Sequence, residues 1–563
     1  MKRGVVISIV VVGMIFIFFA LVGGFIYMQL TQEPYIPANA YLRIDLAGEI
    51  VDSENTTFTK KDSIRDYWYH IKRAKIDNRI KGIVLKIYYL GGDFAKIEEL
   101  GLLLKDFRAS GKKVLAYIES GGLREYYLAT FADKVYVFKG ANFSLNGLAM
   151  ESLFLKNTLS KLGIEAQIFH IGEYKTAANT FTEDRMTPPH KESLEKLLDD
   201  IFDYTIQQIA VNRKLNIDTV KAVVEESPVS MKAYLDAKLI DGALYEDEIL
   251  GDIDSDNQVS FRTYRETTSP LPYTGAKKIA IIFASGEIHM GKSGGQSLFG
   301  GEIMGSSTVA AQLKYAAESP SVKAVVLRVD SPGGDAVAAE VIRREAELLA
   351  KKKPLVISMS GLAASGGYWI SMSSKHIMTL PQTITGSIGV VSGKFILKGL
   401  YDKIGFNKEI LKTTQYADIY SDYRGFSPEE KEKLLKSMNI IYQSFLEKVS
   451  HNRDMKIEEV EKVAQGRVWS GTTAKELKLV DKLGGLNDAI AEAKKLAGIP
   501  ESEKVGLRIF PAKRTLFDYI FDLAGSRTQT INPLKTLENI EAQIALFQKS
   551  FPALLAPYKL VIK

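Results

Sequence analysis

Two hydrophobic patterns alternate along the chain. Short apolar runs, for example residues 80–87 and 322–329, predict buried strands, whereas residues 100–108 and 338–351 have the apolar spacing of amphipathic helices. Strands that alternate with helices are typical of β-α-β units, in which helices cover both faces of a mostly parallel sheet. The pattern therefore predicts the α/β fold class.

This α/β pattern occurs twice. Residues 80–93 and 322–335 each contain an apolar run followed by Gly-Gly-Asp. Residues 238–241 and 478–481 read Lys-Leu-Ile-Asp and Lys-Leu-Val-Asp. Matched positions lie about 240 residues apart, which indicates two copies of one structural unit. We divide the chain into a cytoplasmic start, membrane anchor and tether (1–38), a first repeat (39–250), a polar linker (251–276), a second repeat (277–500) and a helical extension (501–563).

The first residues predict a membrane anchor. Lys2 and Arg3 precede an uncharged apolar stretch over residues 4–28, and about 20 such residues are enough to span a bilayer. Because positive charge stays on the cytoplasmic side, we expect a single-pass anchor in the inner (plasma) membrane, with the rest of the chain on the outer, periplasmic side. The alternative is a cleaved signal peptide, but the apolar core is too long for one and no clear Ala-x-Ala site follows.

Apolar stripes of helical spacing also occur near the end of the chain, over residues 516–523 and 540–547. They predict helices that pack against the rest of the protein or against another subunit. A second helix on the membrane surface is the alternative.

Composition narrows the possible chemistry. The net charge of +6 is small for 563 residues and suggests no nucleic-acid surface. The chain contains no cysteine, which excludes disulfides, zinc–thiolate sites and a cysteine nucleophile. Six histidines are present, so few residues could serve as a histidine general base.

Residues 354–371 are the main candidate for chemistry. An apolar strand over residues 355–359 is followed by small residues and then by Tyr-Trp-Ile, which predicts a strand, a tight turn and a helix. Ser365 would then lie at a helix N-terminus, where free N–H groups and the helix dipole favour a developing oxyanion. The alternative is a glycine-rich connection with a capping serine.

A second strand-to-turn segment supports a chemical role for the Ser365 turn. Residues 324–335 end in Gly333 and Gly334, whose backbone can approach a ligand closely and direct N–H groups towards it. On neighbouring strands, the serine turn and this glycine loop would supply a nucleophile and an oxyanion hole.

Four motifs carry a family resemblance. They are Asp-Ser-Pro-Gly-Gly (330–334), Ala-Ala-Ser-Gly-Gly-Tyr-Trp (363–369), Thr-Gly-Ser-Ile-Gly-Val (385–390) and Gly-Arg-Val-Trp-Ser-Gly (466–471). With them the chain resembles the signal peptide peptidase A family, which are serine proteases of the Clp protease/crotonase superfamily. The resemblance extends more weakly over residues 40–500. It implies two tandem Clp protease/crotonase-like repeats after a transmembrane helix, a ring-like or bowl-like homotetramer, and no need for a metal or cofactor.

The resemblance also assigns roles. It makes Ser365 the nucleophile, Lys175 the general base and Ser387 a hydrogen-bond partner that orients the lysine. By position, Gly366, Gly334 and the adjacent Gly333 are the candidates for oxyanion and substrate binding. The implied activity is a membrane-anchored Ser–Lys endopeptidase that degrades cleaved signal peptides and other apolar peptides.

The residues alone leave other bases open. His376 and His170 are histidine candidates, and Lys412 aligns with His170 in the repeat. A lysine base needs a pKa about three units below its free value of about 10.4, which a dry, apolar setting around Lys175 could provide.

The repeat alignment places the serine and the lysine in different halves. Lys175 aligns with Ala417, and Ser365 aligns with Leu123 or Arg124. Each half lacks the residue that the other provides, which predicts a division of labour, within one chain or between two. Two other functions stay open: a crotonase-like acyl-CoA enzyme and a catalytically inactive membrane scaffold.

Overall fold

The computed structural model describes residues 36–52, 62–250, 257–268, 275–295 and 302–511, together with Met14, Ile17, Phe18 and two short strands near the C-terminus. The rest of the predicted anchor and the predicted C-terminal helices lie outside the described residues. Within the described ranges, no helix combines the length and the apolar composition that crossing a bilayer requires.

A six-stranded parallel sheet forms the centre of the first half, in the order β7-β4-β3-β2-β1-β8. The elements are β1 (Ala40–Glu49), α1 (Ile64–Ile76), β2 (Ile80–Gly91), α2 (Phe94–Arg108), β3 (Lys113–Ile118), α3 (Leu123–Ala129), β4 (Lys134–Phe138), β5 (Met150–Glu151), α4 (Lys156–Leu162), β6 (Glu165–Ile171), a 3₁₀ turn (Thr176–Ala178), α5 (Asn179–Thr182), α6 (Pro188–Arg213), α7 (Ile217–Glu226), α8 (Met231–Asp236), β7 (Gly242–Leu244), α9 (Glu246–Leu250), β8 (Gln258–Ser260) and α10 (Phe261–Thr267).

The second half contains a corresponding sheet in the order β18-β16-β14-β12-β9-β20, parallel except between β16 and β18. Its elements are β9 (Lys278–Ser285), β10 (Glu287–His289), β11 (Ile303–Gly305), α11 (Ser306–Glu318), β12 (Val322–Ser331), β13 (Gly333–Asp335), α12 (Ala336–Ala350), β14 (Leu355–Ala364), α13 (Gly366–Ser371), β15 (Ile377–Thr379), β16 (Ile384–Gly386), β17 (Val390–Ile396), α14 (Lys398–Ile404), α15 (Pro428–Arg453), α16 (Ile457–Val463), β18 (Val468–Ser470), α17 (Gly471–Glu476), β19 (Lys482–Leu483), α18 (Leu486–Leu496), β20 (Gly506–Phe510), β21 (Ala553–Leu555) and β22 (Val561–Ile562).

The two halves share contacts as well as a pattern. One apolar core contains residues from both main sheets, including Ile83 of β2 and Ile281 and Val326 of the second half. A third sheet, β11-β10-β13-β21-β17-β6, crosses the boundary, because β6 of the first half pairs antiparallel with β17 of the second. The mixed α/β architecture follows the prediction from the hydrophobic pattern.

Equivalent tyrosines show how the halves correspond. Tyr126 in α3 and Tyr368 in α13 each donate a hydrogen bond from the phenol to a leucine carbonyl, over 2.5 and 2.8 Å. Three positions before each tyrosine stand Leu123 and Ser365 respectively. The contacts therefore favour Leu123 as the counterpart of Ser365.

The structure extends several predicted elements. The strand predicted over residues 355–359 continues to Ala364, because the small residues pair with β12 and β16 on either side. Residues 257–268, within the stretch predicted as a linker, form β8 and α10. Val259, Phe261 and Tyr264 are buried there, and β8 pairs with β1.

Candidate active site

Ser365 lies between the end of β14 and the start of α13. Its backbone has φ 55° and ψ −112°, a conformation that non-glycine residues rarely adopt and that often marks functional sites. The backbone N–H of Ser365 donates to the carbonyl of Gly386 over 2.8 Å, which holds this turn against β16. The side chain is completely buried.

Lys175 reaches Ser365 from the other half of the same chain. It follows β6, and pairing of β6 with β17 carries this segment onto the second half. The Nζ of Lys175 lies 2.7 Å from the Oγ of Ser365, although 190 positions separate the two residues. The serine and the lysine that the repeat alignment divides between the halves are thus in direct contact within one chain.

Ser387 completes the surroundings of the amine. Its carbonyl oxygen lies 2.9 Å from the Nζ of Lys175, and its Oγ lies 3.0 Å away. A neutral amine has two N–H donors and one lone pair. It can donate both N–H groups to Ser387 and accept the hydroxyl proton of Ser365, which is the hydrogen-bond pattern that a general base needs.

Burial favours that neutral form. Lys175 has no solvent exposure, and this desolvation holds the pKa of its amine well below the usual value of 10.5. Among the residues that the structure describes, no carboxylate lies within 4.0 Å of its Nζ to stabilise the ammonium form. The electrostatic setting therefore suits a lysine that works without its proton near neutral pH.

Glycines allow the lysine segment to approach closely. A Cβ on Gly466 would lie 2.5 Å from the backbone N, Cα and Cβ of Lys175, and one on Gly389 would lie 3.1 Å from its Cδ. The neighbouring Tyr174 N–H donates to the carbonyl of Gln465 over 2.7 Å. The segment around Gly466 is thus the surface on which the lysine segment docks.

Sequence comparison identifies the family of the chain. The profile of "Peptidase family S49" matches residues 106–260 and 347–500. The chain belongs to peptidase family S49. It is 34% identical to "Serine protease SPPA, chloroplastic" of Arabidopsis thaliana over 90% of this chain and 76% of that protein. It is also 32% identical to "Protease 4" of Salmonella typhi, over 91% of this chain and 87% of the relative.

A third relative matches a shorter region. It is "Putative signal peptide peptidase SppA" of Enterococcus faecium, which is 32% identical over 42% of this chain and 67% of that protein. Family S49 and its protease relatives make this chain a serine peptidase, as the four motifs predict.

The predicted oxyanion glycines of this S49 peptidase lie in α13 and β13, two elements that contact each other. Gly366 begins α13, where backbone N–H groups have no partner within the helix. Gly333 and Gly334 lie in β13, which follows β12 directly. The N–H of Gly333 donates to the Oγ of Ser331 over 3.1 Å, so it is already engaged in its own loop. Gly366 and Gly334 stay the predicted pair of oxyanion donors.

The alternative bases lie elsewhere. His170 is exposed on β6 with its Nδ1 2.8 Å from the carbonyl of Gly172, and Lys412 is exposed with its Nζ 3.1 Å from a carboxylate oxygen of Asp418. His376 precedes β15, at the far end of α13 from Ser365. Within the described part of the chain, none of the three forms a hydrogen bond with Ser365.

A buried ion network supports the site from the first half, and the sequence patterns do not reveal it. Lys96 of α2 lies 2.8 Å from Asp330, which immediately precedes the Ser-Pro-Gly-Gly loop. Arg328 of β12, without solvent exposure, pairs with Asp52 over 3.1 Å and with Glu99 over 3.0 Å. In the sequence, Arg328 is a charged residue within an otherwise apolar strand, which could have indicated a buried ion pair. Its partners are too far away in sequence to be identified from the pattern.

Proposed function

We propose that this S49 peptidase is a membrane-anchored endopeptidase that uses a Ser365–Lys175 dyad to degrade cleaved signal peptides and other apolar peptides. The observation that carries the proposal is the 2.7 Å contact between Ser365 Oγ and the buried Nζ of Lys175. A neutral lysine at this distance is a competent general base for a serine hydroxyl.

The mechanism follows from the contacts. Ser365 Oγ attacks the peptide carbonyl while Lys175 takes its proton, and the N–H groups of Gly366 and Gly334 stabilise the oxyanion. Ser387 holds the amine in place during this transfer. Lys175 then returns the proton to the leaving amine, and a water molecule activated by the same lysine hydrolyses the acyl-enzyme.

Substrate and location rest on sequence features. The apolar segment at residues 4–28, preceded by Lys2 and Arg3, supports a single-pass anchor in the inner membrane with the catalytic region on the periplasmic side. An enzyme held there meets cleaved signal peptides in the bilayer, and the relative from Enterococcus faecium has "signal peptide peptidase" in its name. The two repeats, interpreted as Clp protease/crotonase-like units, also support a homotetramer.

Substitution of the dyad tests this function. Ser365→Ala and Lys175→Ala should each lower the cleavage of an apolar peptide by about 10²–10⁴-fold, the range of a general base or more. The double variant should be little worse than either single variant, because the two groups act as one unit. Lys175→Arg should also fail, since a guanidinium stays protonated.

Lys412→Ala is the matched control, because it removes an exposed lysine that does not contact the site. It should retain the activity of the unaltered enzyme. Full activity of Lys175→Ala would contradict the dyad. Turnover of acyl-CoA thioesters without peptide cleavage would indicate a crotonase-type enzyme, and failure of an acyl phosphonate to label Ser365 would indicate an inactive scaffold.

A further inference from the structure

The strand that carries Ser365 contains a bulge shortly before the serine. In the ladder between β12 and β14, one step covers residues 329–331 of β12 but residues 359–363 of β14. Asp330 therefore stands opposite residues 360–362, which form the serine-strand bulge. A bulge bends its strand and redirects the side chains that follow, and bulges are common beside active sites. The direction in which Ser365 leaves β14 thus depends on how this bulge is held.

The side chain of Asp330 closes the serine-strand bulge. Its Oδ1 accepts a hydrogen bond from the backbone N–H of Leu362 over 3.1 Å, three positions before Ser365. The main chain of Asp330 is fixed from the other side, because its carbonyl accepts the N–H of Gly286 over 2.9 Å. The carboxylate therefore supplies the acceptor for a backbone donor that the shifted ladder leaves without a partner in β12.

Lys96 of the first half holds this carboxylate. Its Nζ lies 2.8 Å from the Oδ2 of Asp330 and 2.8 Å from the Oδ2 of Asp93. Because Lys96 binds one oxygen of the Asp330 carboxylate while Leu362 binds the other, the two contacts fix the rotation of the group. Asp93 packs against the bulge itself, since a Cβ on Gly361 would lie 2.0 Å from its carboxylate.

The remaining residue of the bulge is also held from the first half. The Oγ of Ser360 donates to the Oδ1 of Asp52 over 2.8 Å, and the carbonyl of Ser360 accepts the hydroxyl of Thr383 over 2.6 Å. Each of the three bulge residues is thus held by a first-half side chain, either directly or through Asp330. The first half determines the shape of the strand that presents the nucleophile.

The repeat comparison shows that this arrangement accompanies the nucleophile. In the first half, β2 and β3 pair without a shift, and β3 ends at Ile118. The offset that aligns the two Gly-Gly-Asp motifs places Tyr88 at the position of Asp330, and Ala338 at the position of Lys96. The lysine and the aspartate are therefore divided between the repeats in the same way as the candidate dyad. The half without a nucleophile has neither the bulge nor the acid that closes it.

We propose that Lys96 and Asp330 are positioning residues for the nucleophile. Lys96 fixes the carboxylate of Asp330, which closes the serine-strand bulge and thereby sets the Oγ of Ser365 against the Nζ of Lys175. This inference rests on the proposed function, because it takes Ser365 and Lys175 as the dyad. A displacement of about 1 Å in a reacting group can lower a rate about 10²-fold. Loss of the positioning contact should therefore lower kcat and leave KM nearly unchanged.

Two double variants test the contact with Leu362. Lys96→Met with Asp330→Asn removes both charges but keeps a side-chain oxygen that can accept the Leu362 N–H. Lys96→Met with Asp330→Leu removes the same charges and the acceptor, with a side chain of similar size. The first should keep kcat for an apolar peptide within about threefold of the unaltered enzyme, whereas the second should lose about 10-fold to 10²-fold at nearly constant KM. Equal kcat values in the two double variants would overturn the proposal.

Lys86→Met separates positioning from a loss of stability. Lys86 of β2 is 8% exposed and Lys96 is 9% exposed, and Lys86 forms its ion pairs with Glu119 and with Glu246 of the first half. The substitution breaks a comparable ion pair outside the serine-strand bulge. It should lower the free energy of unfolding and leave kcat within about twofold. A loss of kcat equal to that of Lys96→Met with Asp330→Leu would show that activity follows stability alone, and the positioning role would be wrong.

Hydrogen exchange of residues 360–364 provides a measurement that is independent of catalysis. In a Ser365→Ala background, this segment should exchange faster with Asp330→Leu than with Asp330→Asn, each combined with Lys96→Met, because only the amide can hold the Leu362 N–H. Equal exchange would contradict closure of the bulge by Asp330.

The positioning role and the proposed function can fail separately. With Ser365 intact, an acyl phosphonate should label the serine more slowly in the Asp330→Leu double variant than in the Asp330→Asn double variant, by the same factor as kcat. Different labelling rates in an enzyme that cleaves no apolar peptide would contradict the proposed substrates and support the positioning role. Peptide cleavage and labelling at equal rates in both double variants would contradict the positioning role alone.

Discussion

Replacement of Gly466 by alanine should misplace the lysine of the candidate dyad without removing it. The added Cβ would lie 2.5 Å from three atoms of Lys175, whereas carbon atoms in contact are normally about 3.5–4.0 Å apart. The two segments must therefore separate by about 1 Å. A shift of that size in a reacting group can lower the rate about 10²-fold, which corresponds to about 2.7 kcal/mol in the barrier.

Gly466→Ala should also lose stability through backbone strain, and this effect must be measured separately from the steric clash with Lys175. Gly466 has φ +79°, and a residue with a Cβ costs about 1–2 kcal/mol of stability in a left-handed conformation. Gly405 has nearly the same φ, +74°, but no heavy atom lies within 4 Å of the position that its Cβ would occupy. Gly405→Ala is therefore the matched control, with the same backbone strain and no contact with the lysine.

The assay compares kcat/KM for an apolar peptide and the unfolding free energy of both variants. Gly405→Ala should lose about 1–2 kcal/mol of stability and keep its activity within about twofold, whereas Gly466→Ala should lose activity about 10²-fold. Phosphonate labelling of Ser365 should slow in parallel, because the serine loses its base. If both variants have similar activity, the docking surface around Gly466 does not position Lys175.

Three other predictions concern groups around the same site. Ser387→Ala removes one of the two contacts that Ser387 makes with the Nζ of Lys175, so kcat/KM should fall about threefold to tenfold, the value of one neutral hydrogen bond. An unchanged rate would leave the Ser387 hydroxyl without a role. Activity should rise with pH as Lys175 loses its proton, with a midpoint below 10.5 because burial lowers the pKa of its amine. Between that lowered pKa and 10.5, the unfolded chain binds one more proton than the folded chain, so the free energy of unfolding should also rise with pH. Lys175→Met should remove this pH dependence from urea unfolding curves. Lys96→Met leaves the partly buried carboxylate of Asp330 without its lysine, so denaturation should show a loss of up to about 3–5 kcal/mol, part of which Lys96→Met with Asp330→Asn should recover.

The sequence predicts the strands better than their ends. Apolar runs identify the central strands of both halves, since a strand buried on both faces is apolar along its length. The pattern predicts a turn over the last residues of β14, where the strand in fact continues, because Gly361 and Ala363 have low strand propensity. The small size of Gly361 is required by packing, since a Cβ there would lie 2.0 Å from the carboxylate of Asp93 in the other half. No local pattern contains that information.

The candidate site is also only partly predictable from the sequence. The position of Ser365 at the start of a helix can be inferred from nearby residues, whereas Lys175 needs the family resemblance, because an isolated lysine in a loop has no distinctive pattern. The ion pairs of Arg328 and the pairing of β21 join residues far apart in sequence. A three-residue strand such as β21 is also too short to show an alternating pattern. These features required the structure.

Division of the dyad between the repeats gives the interface between the halves a chemical role. Lys175 contacts Ser365 only while β6 stays paired with β17 and the lysine segment stays docked on Gly466. The buried pairs of Arg328 with Asp52 and Glu99 join the same halves beneath the serine strand. A change that separates the halves would expose Lys175 to water, restore its pKa towards 10.5 and remove the base from the serine at once. Catalysis by the proposed dyad is thus coupled to the packing of the repeats.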